Sequence, residues 1–292
     1  MPMIPNAYLC SYPKSGRTWM RYALVSLLDL RYELGGGFDM ENMFGLIPNR
    51  DGEGATQPWK TPDNYQYADR PEIPFLIASH LRWEPAFAET PTVLLVRSPG
   101  DVVVSRYHHM TRHEGKFSGT LAEFARSDQH GLPDLLAYLA SWEPHLEDPG
   151  ITVLTYEELK SDPVKAFGRL TRGLGLDFDR DSLEAALEAA SVDRMRKVEA
   201  ESGVGQPQAY NFNDPDARRV RKAKVGSWRE EMEPETVELM VSEIEASPSA
   251  RELLEKLGLI PELDVLEPDL AALAPEPDVP GPESPANARP QV

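Results

Sequence analysis

The chain has 292 residues, 41% of them hydrophobic, and a formal net charge of -18 at pH 7. That length and apolar content suffice for one α/β unit with a sizeable core. The negative charge argues against nucleic-acid and anionic-membrane partners, because both would repel the protein. With a single cysteine, Cys10, no intrachain disulfide can form. We expect a cytoplasmic protein, since the first ten residues form no secretory apolar segment and no apolar run is long enough to span a membrane.

Four apolar runs predict the strands of a buried sheet, at residues 6–12, 75–80, 92–97 and 151–156. Continuous rather than alternating apolar residues are typical of a parallel sheet covered on both faces. Helical stretches follow the first strand at residues 18–30 and the third strand up to about Arg112, and more follow later. This alternation predicts an α/β fold of three layers, in which helices flank a central, mostly parallel sheet.

Two irregular segments and one biased tail interrupt this pattern. Residues 35–74 and 202–217 are rich in turn-forming residues, which indicates functional or poorly ordered loops. From residue 263 to 292 the chain consists largely of Pro, Ala and acidic residues, with few large apolar side chains. We therefore predict one domain over residues 1–262 and a disordered tail over 263–292.

The stretch LCSYPKSGRTWMRYAL, residues 9–24, leads from the first strand through a polar turn into a helix. Backbone amides at the start of that helix would point above the end of the strand, where the helix dipole favours an anion. Lys14 adds a positive charge, and Ser15 and Thr18 add hydroxyl groups. The lysine precedes the only glycine, Gly16, so this is not the G-x-x-x-x-G-K-[ST] phosphate loop. Local chemistry alone leaves open both a phosphate cradle and an ordinary turn with an exposed lysine.

Two further segments favour a ligand. Arg97 lies at the carboxyl end of the third strand, the edge at which open α/β sheets bind ligands. Ser105 follows eight residues later. RRVRKAKVGSW, residues 218–228, forms a basic island in an acidic chain, and RKAKVGSW within it offers a second cationic group. A ligand with two separate phosphate groups would account for both the first turn and this second set.

Four segments, in order, resemble motifs of the sulfotransferases that use 3′-phosphoadenosine 5′-phosphosulfate (PAPS) and release adenosine 3′,5′-bisphosphate (PAP). YPKSGRTW is similar to the 5′-phosphosulfate loop YPKSGTTW, and RSPGDVVVS to the 3′-phosphate motif R-N-P-x-D-x-x-V-S. YEELKSDP resembles Y-E-D-L-K-x-D-P, and RKAKVGSW resembles R-K-G-x-x-G-x-W. The resemblance covers about residues 8–228 and implies a P-loop-like fold with PAPS as co-substrate.

The resemblance also implies roles for individual residues. The loop Lys14–Trp19 would hold the phosphosulfate, with Lys14 stabilising the leaving phosphate and Trp19 stacking on adenine. Tyr156 would lie against the nucleotide, although a core aromatic is the alternative. The residues expected to bind the co-substrate are Lys14, Ser15, Gly16, Arg17, Thr18, Trp19, Arg97, Ser105, Tyr156, Arg221, Lys222 and Ala223.

His80, at the end of the second strand, is the candidate base that removes a proton from the acceptor. The family carries its base histidine at a matching place, in K-T-H. The alternative is a core histidine bonded to a backbone carbonyl. We expect sulfuryl transfer to a hydroxyl of a small molecule, a phenol or an alcohol, with no nucleic acid, membrane or metal involved. Whether the protein is a monomer or a homodimer stays open.

Several positions depart from the family pattern. Arg17 replaces the first threonine of S-G-T-T-W, and Ala78 and Ser79 stand where the K-T of K-T-H is expected. Ala223 replaces the glycine of R-K-G, which would weaken the loop if the backbone there needs a positive φ.

Two other readings stay open from the residues. One is a kinase-like phosphoryl transferase, which lacks a convincing G-K-[ST] here. The other is a non-catalytic nucleotide-binding protein, which would need no His80. For the acceptor site we expect an apolar pocket formed by aromatic residues in or near the irregular segments, namely Trp59, Tyr65, Tyr67, Trp83, Tyr210 and Phe212. The alternative is that these aromatics pack under long loops.

Overall fold

A four-stranded parallel sheet lies at the centre of the molecule. The computed structural model describes residues 3–50, 60–202 and 213–261. The strands run in the order β2-β1-β3-β4, and each neighbouring pair is parallel. Their bounds are β1 (Ala7–Ser11), β2 (Leu76–Ser79), β3 (Thr92–Val96) and β4 (Ile151–Thr155). The predicted α/β fold class with a parallel sheet is confirmed.

Each strand ends one residue earlier than the sequence predicted. Tyr12, His80, Arg97 and Tyr156 therefore lie just beyond the carboxyl ends of the strands. Because the strands are parallel, these four residues come to the same edge of the sheet. The hydrophobic runs overestimate the strands because the residues that leave the sheet are themselves largely buried.

Helices fill the connections and complete the chain. Asp162 caps the helix that begins at Pro163 by accepting a hydrogen bond from the Lys165 amide, as the Asp-Pro pair predicts. The helix after β3 is α-helical only to His108 and continues as a π-helical turn over His109–His113. The α-helices are α1 (Arg17–Tyr32), α2 (Pro99–His108), α3 (Leu121–Ala125), α4 (Leu132–Trp142), α5 (Tyr156–Ser161), α6 (Pro163–Gly173), α7 (Arg180–Ala189), α8 (Val192–Ser202), α9 (Pro234–Glu245) and α10 (Pro248–Lys256).

The two faces of the sheet pack against different helices. Ala7 and Leu9 of β1 face the core that the sheet shares with α1, α6 and α7. Tyr8, between them, points to the other face and packs edge-on against Phe87, which stacks on Trp142 of α4. This alternation with a period of two gives each strand two buried faces, which is the three-layer arrangement predicted.

In the ranges that the structure describes, no helix combines the length and apolar character that a membrane crossing needs. The predicted tail, residues 263–292, lies outside those ranges, as do Trp59, Tyr210 and Phe212 of the predicted aromatic pocket.

Candidate functional site

A cavity of about 390 Å³ lies at the carboxyl edge of the sheet. Its volume falls within the range typical of small-molecule sites. Ser15 is fully buried behind the turn and is the one predicted site residue that does not line the cavity. Those that line it are Lys14, Gly16, Arg17, Thr18, Trp19, His80, Arg97, Ser105, Tyr156, Arg221, Lys222 and Ala223.

The turn between β1 and α1, residues 12–16, is called the first loop here. Lys14 and Gly16 both have positive φ, 72° and 101°, and α1 begins at Arg17. The first hydrogen bond within α1 joins the Met20 amide to the Gly16 carbonyl at 3.2 Å, so the amides before Met20 have no acceptor inside the helix. These amides, with the positive end of the helix dipole, form an anion-binding surface.

Gly16 is required by a close contact as well as by its backbone. A Cβ atom on Gly16 would lie 2.7 Å from the Tyr156 ring. Tyr156 in turn packs edge-on against Trp19, and the Arg97 guanidinium lies 4.3 Å from the centre of its ring. Tyr156 is only 5% exposed, so it is both a core aromatic and part of the cavity wall.

Arg97 joins the first loop to the basic island, residues 218–228, called the late loop here. Its guanidinium donates to the carbonyl oxygens of Lys14 and Lys224, both at 3.2 Å. It also pairs with Asp101 at 3.5 Å. The Nε of Arg97 is buried with no hydrogen-bond partner in the described residues, which leaves a donor for a ligand.

Asp101 anchors the late loop to α2. Its carboxylate accepts hydrogen bonds from the Gly226 amide, the Ser227 hydroxyl and the Trp228 amide, at 2.8 to 3.1 Å. Gly100 makes room for the loop, because a Cβ there would lie 2.5 Å from the Trp228 indole. The glycine of RSPGD therefore has a packing role.

A second anchor comes from α8. The buried carboxylate of Glu199 accepts hydrogen bonds from the amides of Arg219 and Val220, at 2.7 and 3.4 Å. Further along the late loop, Arg221 pairs with Glu231 at 2.7 Å and Lys222 pairs with the same carboxylate at 2.8 Å. These pairs lower the pKa of Glu231 to about 2, against the opposing effect of its burial. Salt bridges thus hold the late-loop cations in position beside the cavity.

The amine of Lys14 has an unusually low pKa. Burial, with the nearby guanidinium groups of Arg219 and Arg106, lowers its pKa to about 7. An anion bound beside Lys14 would reverse this effect and favour the protonated amine.

His80 is held in one tautomer. Its Nδ1 lies 2.6 Å from the Ser11 carbonyl oxygen, and because a carbonyl only accepts, Nδ1 carries the proton. The neutral ring then has its lone pair on Nε2. Burial, with the charge of Arg17, keeps the pKa of His80 well below its ordinary value of 6.5, so the ring is neutral at pH 7.

A family model described as the sulfotransferase domain matches residues 5–257. The chain belongs to the sulfotransferase family. This confirms the predicted family and enzyme class, a PAPS-dependent sulfotransferase, and with it the predicted co-substrate.

Two curated relatives and two solved structures show the extent of the similarity. A flavonol 3-sulfotransferase of Flaveria bidentis is 27% identical over 253 residues, which cover 80% of this chain and 79% of that protein. Cytosolic sulfotransferase 1 of Arabidopsis thaliana is 24% identical over 260 residues, which cover 80% and 76%. Retinol dehydratase, solved with retinol and PAP, aligns with a TM-score of 0.66 at 19% identity over 85% of this chain and 82% of that one. A mouse sulfotransferase complexed with PAP aligns with a TM-score of 0.59 at 20% identity over 87% and 90%.

Several residues of this sulfotransferase site were not predicted. Asp101 belongs to the motif RSPGD, and Arg106 directly follows Ser105, so both had a sequence signal. Asn49 and Lys60 belong to the irregular segment, whose path nothing in the sequence predicts. The unpredicted lining residues include Arg21, Phe44, Asn49, Lys60, Asp101, Arg106, Arg219 and Ser227.

The predicted aromatic pocket is not found in the described part of the sulfotransferase. Tyr65 and Tyr67 line a separate small pocket together with Phe75. Trp83 stacks on the His145 ring at 3.5 Å, away from the cavity lining. These aromatics pack under long loops, which was the alternative to an acceptor wall.

The three histidines of the stretch HHMTRH, residues 108–113, each have a partner of their own. His108 Nε2 lies 2.6 Å from Glu231, His109 Nε2 lies 3.1 Å from Glu114, and His113 Nδ1 lies 2.9 Å from the Ala217 carbonyl. Across residues 3–50, 60–202 and 213–261, no group of three or more His, Cys, Asp or Glu side chains is arranged to hold a metal ion.

Proposed function

We propose that this sulfotransferase transfers the sulfuryl group of PAPS to a hydroxyl of a small-molecule acceptor, with His80 as general base and Lys14 at the leaving phosphate. The observation that carries the proposal is the meeting of Lys14, His80 and Arg97 in one cavity at the carboxyl edge of the sheet. Family membership supports the reaction class.

The donor-binding side fits a nucleotide with two phosphate sites. Lys14 and the amides at the start of α1 would hold the 5′-phosphosulfate. Arg97, Ser105, Arg221 and the late-loop backbone would hold the 3′-phosphate, and Trp19 and Tyr156 offer aromatic surfaces for the base. PAP in the two solved neighbours supports this assignment.

When bound, the donor supplies an activated sulfuryl group. His80 would accept the proton of the acceptor hydroxyl at Nε2, since Nδ1 is committed to the Ser11 carbonyl. The protonated Lys14 amine would stabilise the charge that develops on the leaving phosphate. Thus one residue removes a proton from the nucleophile while another stabilises the leaving group.

The hydroxyl acceptor and the cytoplasmic location are supported by relatives. The relative from Flaveria is named for a flavonol, and retinol dehydratase is solved both with retinol and with androsterone. Each of these is a small hydroxylated molecule. Relatives named cytosolic sulfotransferases support a cytoplasmic location for this chain.

The first test is calorimetric titration with PAP, beside AMP and ATP with Mg²⁺. We expect micromolar PAP binding, and no binding of AMP. Arg97→Ala should abolish PAP binding, but it also removes the hydrogen bonds that Arg97 donates to the Lys14 and Lys224 carbonyl oxygens. Ser105→Ala, which removes only a hydroxyl from the cavity wall, is therefore the matched variant and should weaken PAP about 10-fold. Tighter binding of ATP that neither variant changes would refute the proposal in favour of a kinase-like enzyme.

A further inference from the structure

The cavity is strongly cationic although the chain is acidic. Among the residues that the structure describes, nine Lys and Arg side chains line it, against the two carboxylates Asp101 and Glu114. Asp101 pairs with Arg97 and accepts hydrogen bonds from the late loop, and Glu114 pairs with His109 and Lys116. The co-substrate alone does not account for all of these cations, because several lie on the side of His80.

Few of the lining residues that the structure describes on the His80 side of the cavity are apolar. Arg17, Arg21 and Arg106 line the same cavity as His80. Burial of the ring and the charges of these three guanidinium groups all lower the pKa of His80. Arg17 and Arg21 both donate to the Asn49 side-chain oxygen. Among the described lining residues on this side, Phe44 is the only large hydrophobic one.

Phe44 itself is covered by cations. The Arg21 guanidinium lies 4.2 Å from the centre of its ring, and the Lys60 amine lies 5.2 Å from it. An apolar acceptor would therefore meet charged groups at Phe44, the one aromatic residue described on this side. A polar acceptor with negative charge fits this environment better.

Arg106 lines the cavity together with Lys14, on the donor side, and His80, on the acceptor side. It follows Ser105 on α2, lines the cavity, and lowers the pKa of both Lys14 and His80 through its charge. Its Nε is buried without a hydrogen-bond partner, and it pairs with no carboxylate in the described residues. Arg97, by contrast, pairs with Asp101, and Arg221 pairs with Glu231. A buried guanidinium N–H without a partner is costly, so Arg106 favours an anionic ligand group.

We propose that the acceptor carries an anionic oxygen group, a carboxylate or a phosphate, beside the hydroxyl that is sulfated, and that Arg106 binds this group. The inference rests on the proposed function and names the class of its acceptor. The planar fork of arginine matches such oxygens with two parallel hydrogen bonds. The phosphates of the donor already have Lys14, Arg97, Ser105 and the late loop as partners, so Arg106 stays available for the acceptor.

The test compares hydroxylated acids with their neutral methyl esters. The probes are 4-hydroxybenzoate, 4-hydroxyphenylacetate, 4-hydroxycinnamate and 4-hydroxyphenyl phosphate, beside the three methyl esters and 4-methoxyphenol. Sulfation by the full chain is measured with PAPS, and binding to the enzyme–PAP complex by calorimetry, so the result does not depend on turnover. We expect at least one anionic probe to be preferred at least 10-fold over its neutral partner.

We define the anion-to-neutral ratio as the preference for an anionic probe over its neutral partner. Arg106→Gln should lower this ratio about 10- to 100-fold, mainly through a higher KM for the anionic probe. Partial unfolding cancels from a ratio taken on one protein. Arg112→Gln is the matched control, because its side chain is 61% exposed and does not line the cavity. It should leave the ratio unchanged.

Two results would overturn the inference. One is wild-type enzyme that binds no anionic probe more tightly than its neutral partner. The other is an Arg106→Gln variant whose anion-to-neutral ratio is unchanged. This includes a variant whose activity falls equally with anionic and neutral probes, because Arg106 would then contact the transferred sulfuryl group. Failure of the proposed function looks different, since the wild type would then bind ATP more tightly than PAP, whatever its preference among the probes.

Discussion

The first loop and the late loop line the same cavity but are built in different ways. The first loop is shaped by its own backbone, through positive φ at Lys14 and Gly16 and the start of α1. The late loop is held by distant side chains, Asp101 on α2 and Glu199 on α8. The comparison shows that one half of a binding site can be specified locally while the other depends on tertiary anchors.

The largest expected effect comes from breaking the late-loop anchor. Asp101→Asn places an amide where three hydrogen-bond donors converge and leaves Arg97 without its ion pair. Since Asp101 is buried, we expect the free energy of unfolding to fall by about 3 to 5 kcal/mol. PAP affinity should fall with it. Denaturant unfolding and calorimetry measure the two effects.

Asp179→Asn is the control for this variant. Asp179 is an exposed N-cap of α7, and asparagine caps a helix about as well. Its stability should change by less than about 0.5 kcal/mol. Equal effects of the two substitutions would contradict the anchoring role of Asp101.

A substitution at Gly16 should disrupt the first loop. Gly16→Ala combines strain at φ 101° with a Cβ contact of 2.7 Å to the Tyr156 ring. We expect about 100-fold weaker PAP binding by calorimetry, because the loop must shift to relieve both. Gly175→Ala is the control that introduces backbone strain without a close contact, since φ is +75° there and nothing described lies within 4 Å of the new Cβ. Unchanged PAP affinity in Gly16→Ala would show that the loop tolerates the shift.

The charge of Lys14 gives a pH test of the first loop. With a pKa of about 7 in the unliganded site, the amine becomes neutral as pH rises above 7, whereas a bound phosphate favours the protonated form. PAP affinity should therefore fall between pH 7 and 9, by a factor approaching about 10 per unit. Lys14→Arg keeps its charge and should flatten this dependence. The same slope in both proteins would assign the titration to another group.

The smallest effect concerns the late loop at Ala223. Ala223 has φ 53°, the left-handed conformation that the family glycine adopts without strain. Ala223→Gly should raise the free energy of unfolding by up to about 1 kcal/mol, because relief of strain exceeds the added chain entropy. Ala246→Gly, at φ -74°, should instead lower it by a similar amount. A loss of stability in Ala223→Gly would contradict the strain argument.

The sequence was sufficient for those parts of the site that depend on local structure. The four strands, the first loop and the positions of His80, Arg97 and Tyr156 follow from apolar runs and the residues that end them. The strand order could not be predicted, because parallel pairing depends on contacts between distant segments. The sequence predicts a weaker loop at Ala223 only if the backbone there needs a positive φ. The structure shows that φ is positive at this residue.

The acceptor side could not be predicted for the same reason. Aromatic residues of the irregular segment suggested an apolar wall, but Tyr65 and Tyr67 pack elsewhere, and charged residues take their place. Asn49 reaches the cavity because it forms a bridge to Ala78 beside β2, a contact that no local pattern encodes. Arg106 also lines the cavity, but the motif that predicts Ser105 ends one residue before it.

The contrast between a cationic cavity and a chain of net charge -18 has a kinetic consequence. An anion approaching from a distance is repelled by the whole protein, and attraction begins only within the mouth of the cavity. Added salt screens the distant repulsion over a Debye length of about 10 Å at 0.1 M but acts less on buried charges. Raising the ionic strength from a low value should therefore speed the encounter of PAPS with the protein, the reverse of what salt does to proteins that attract their anionic ligands at long range.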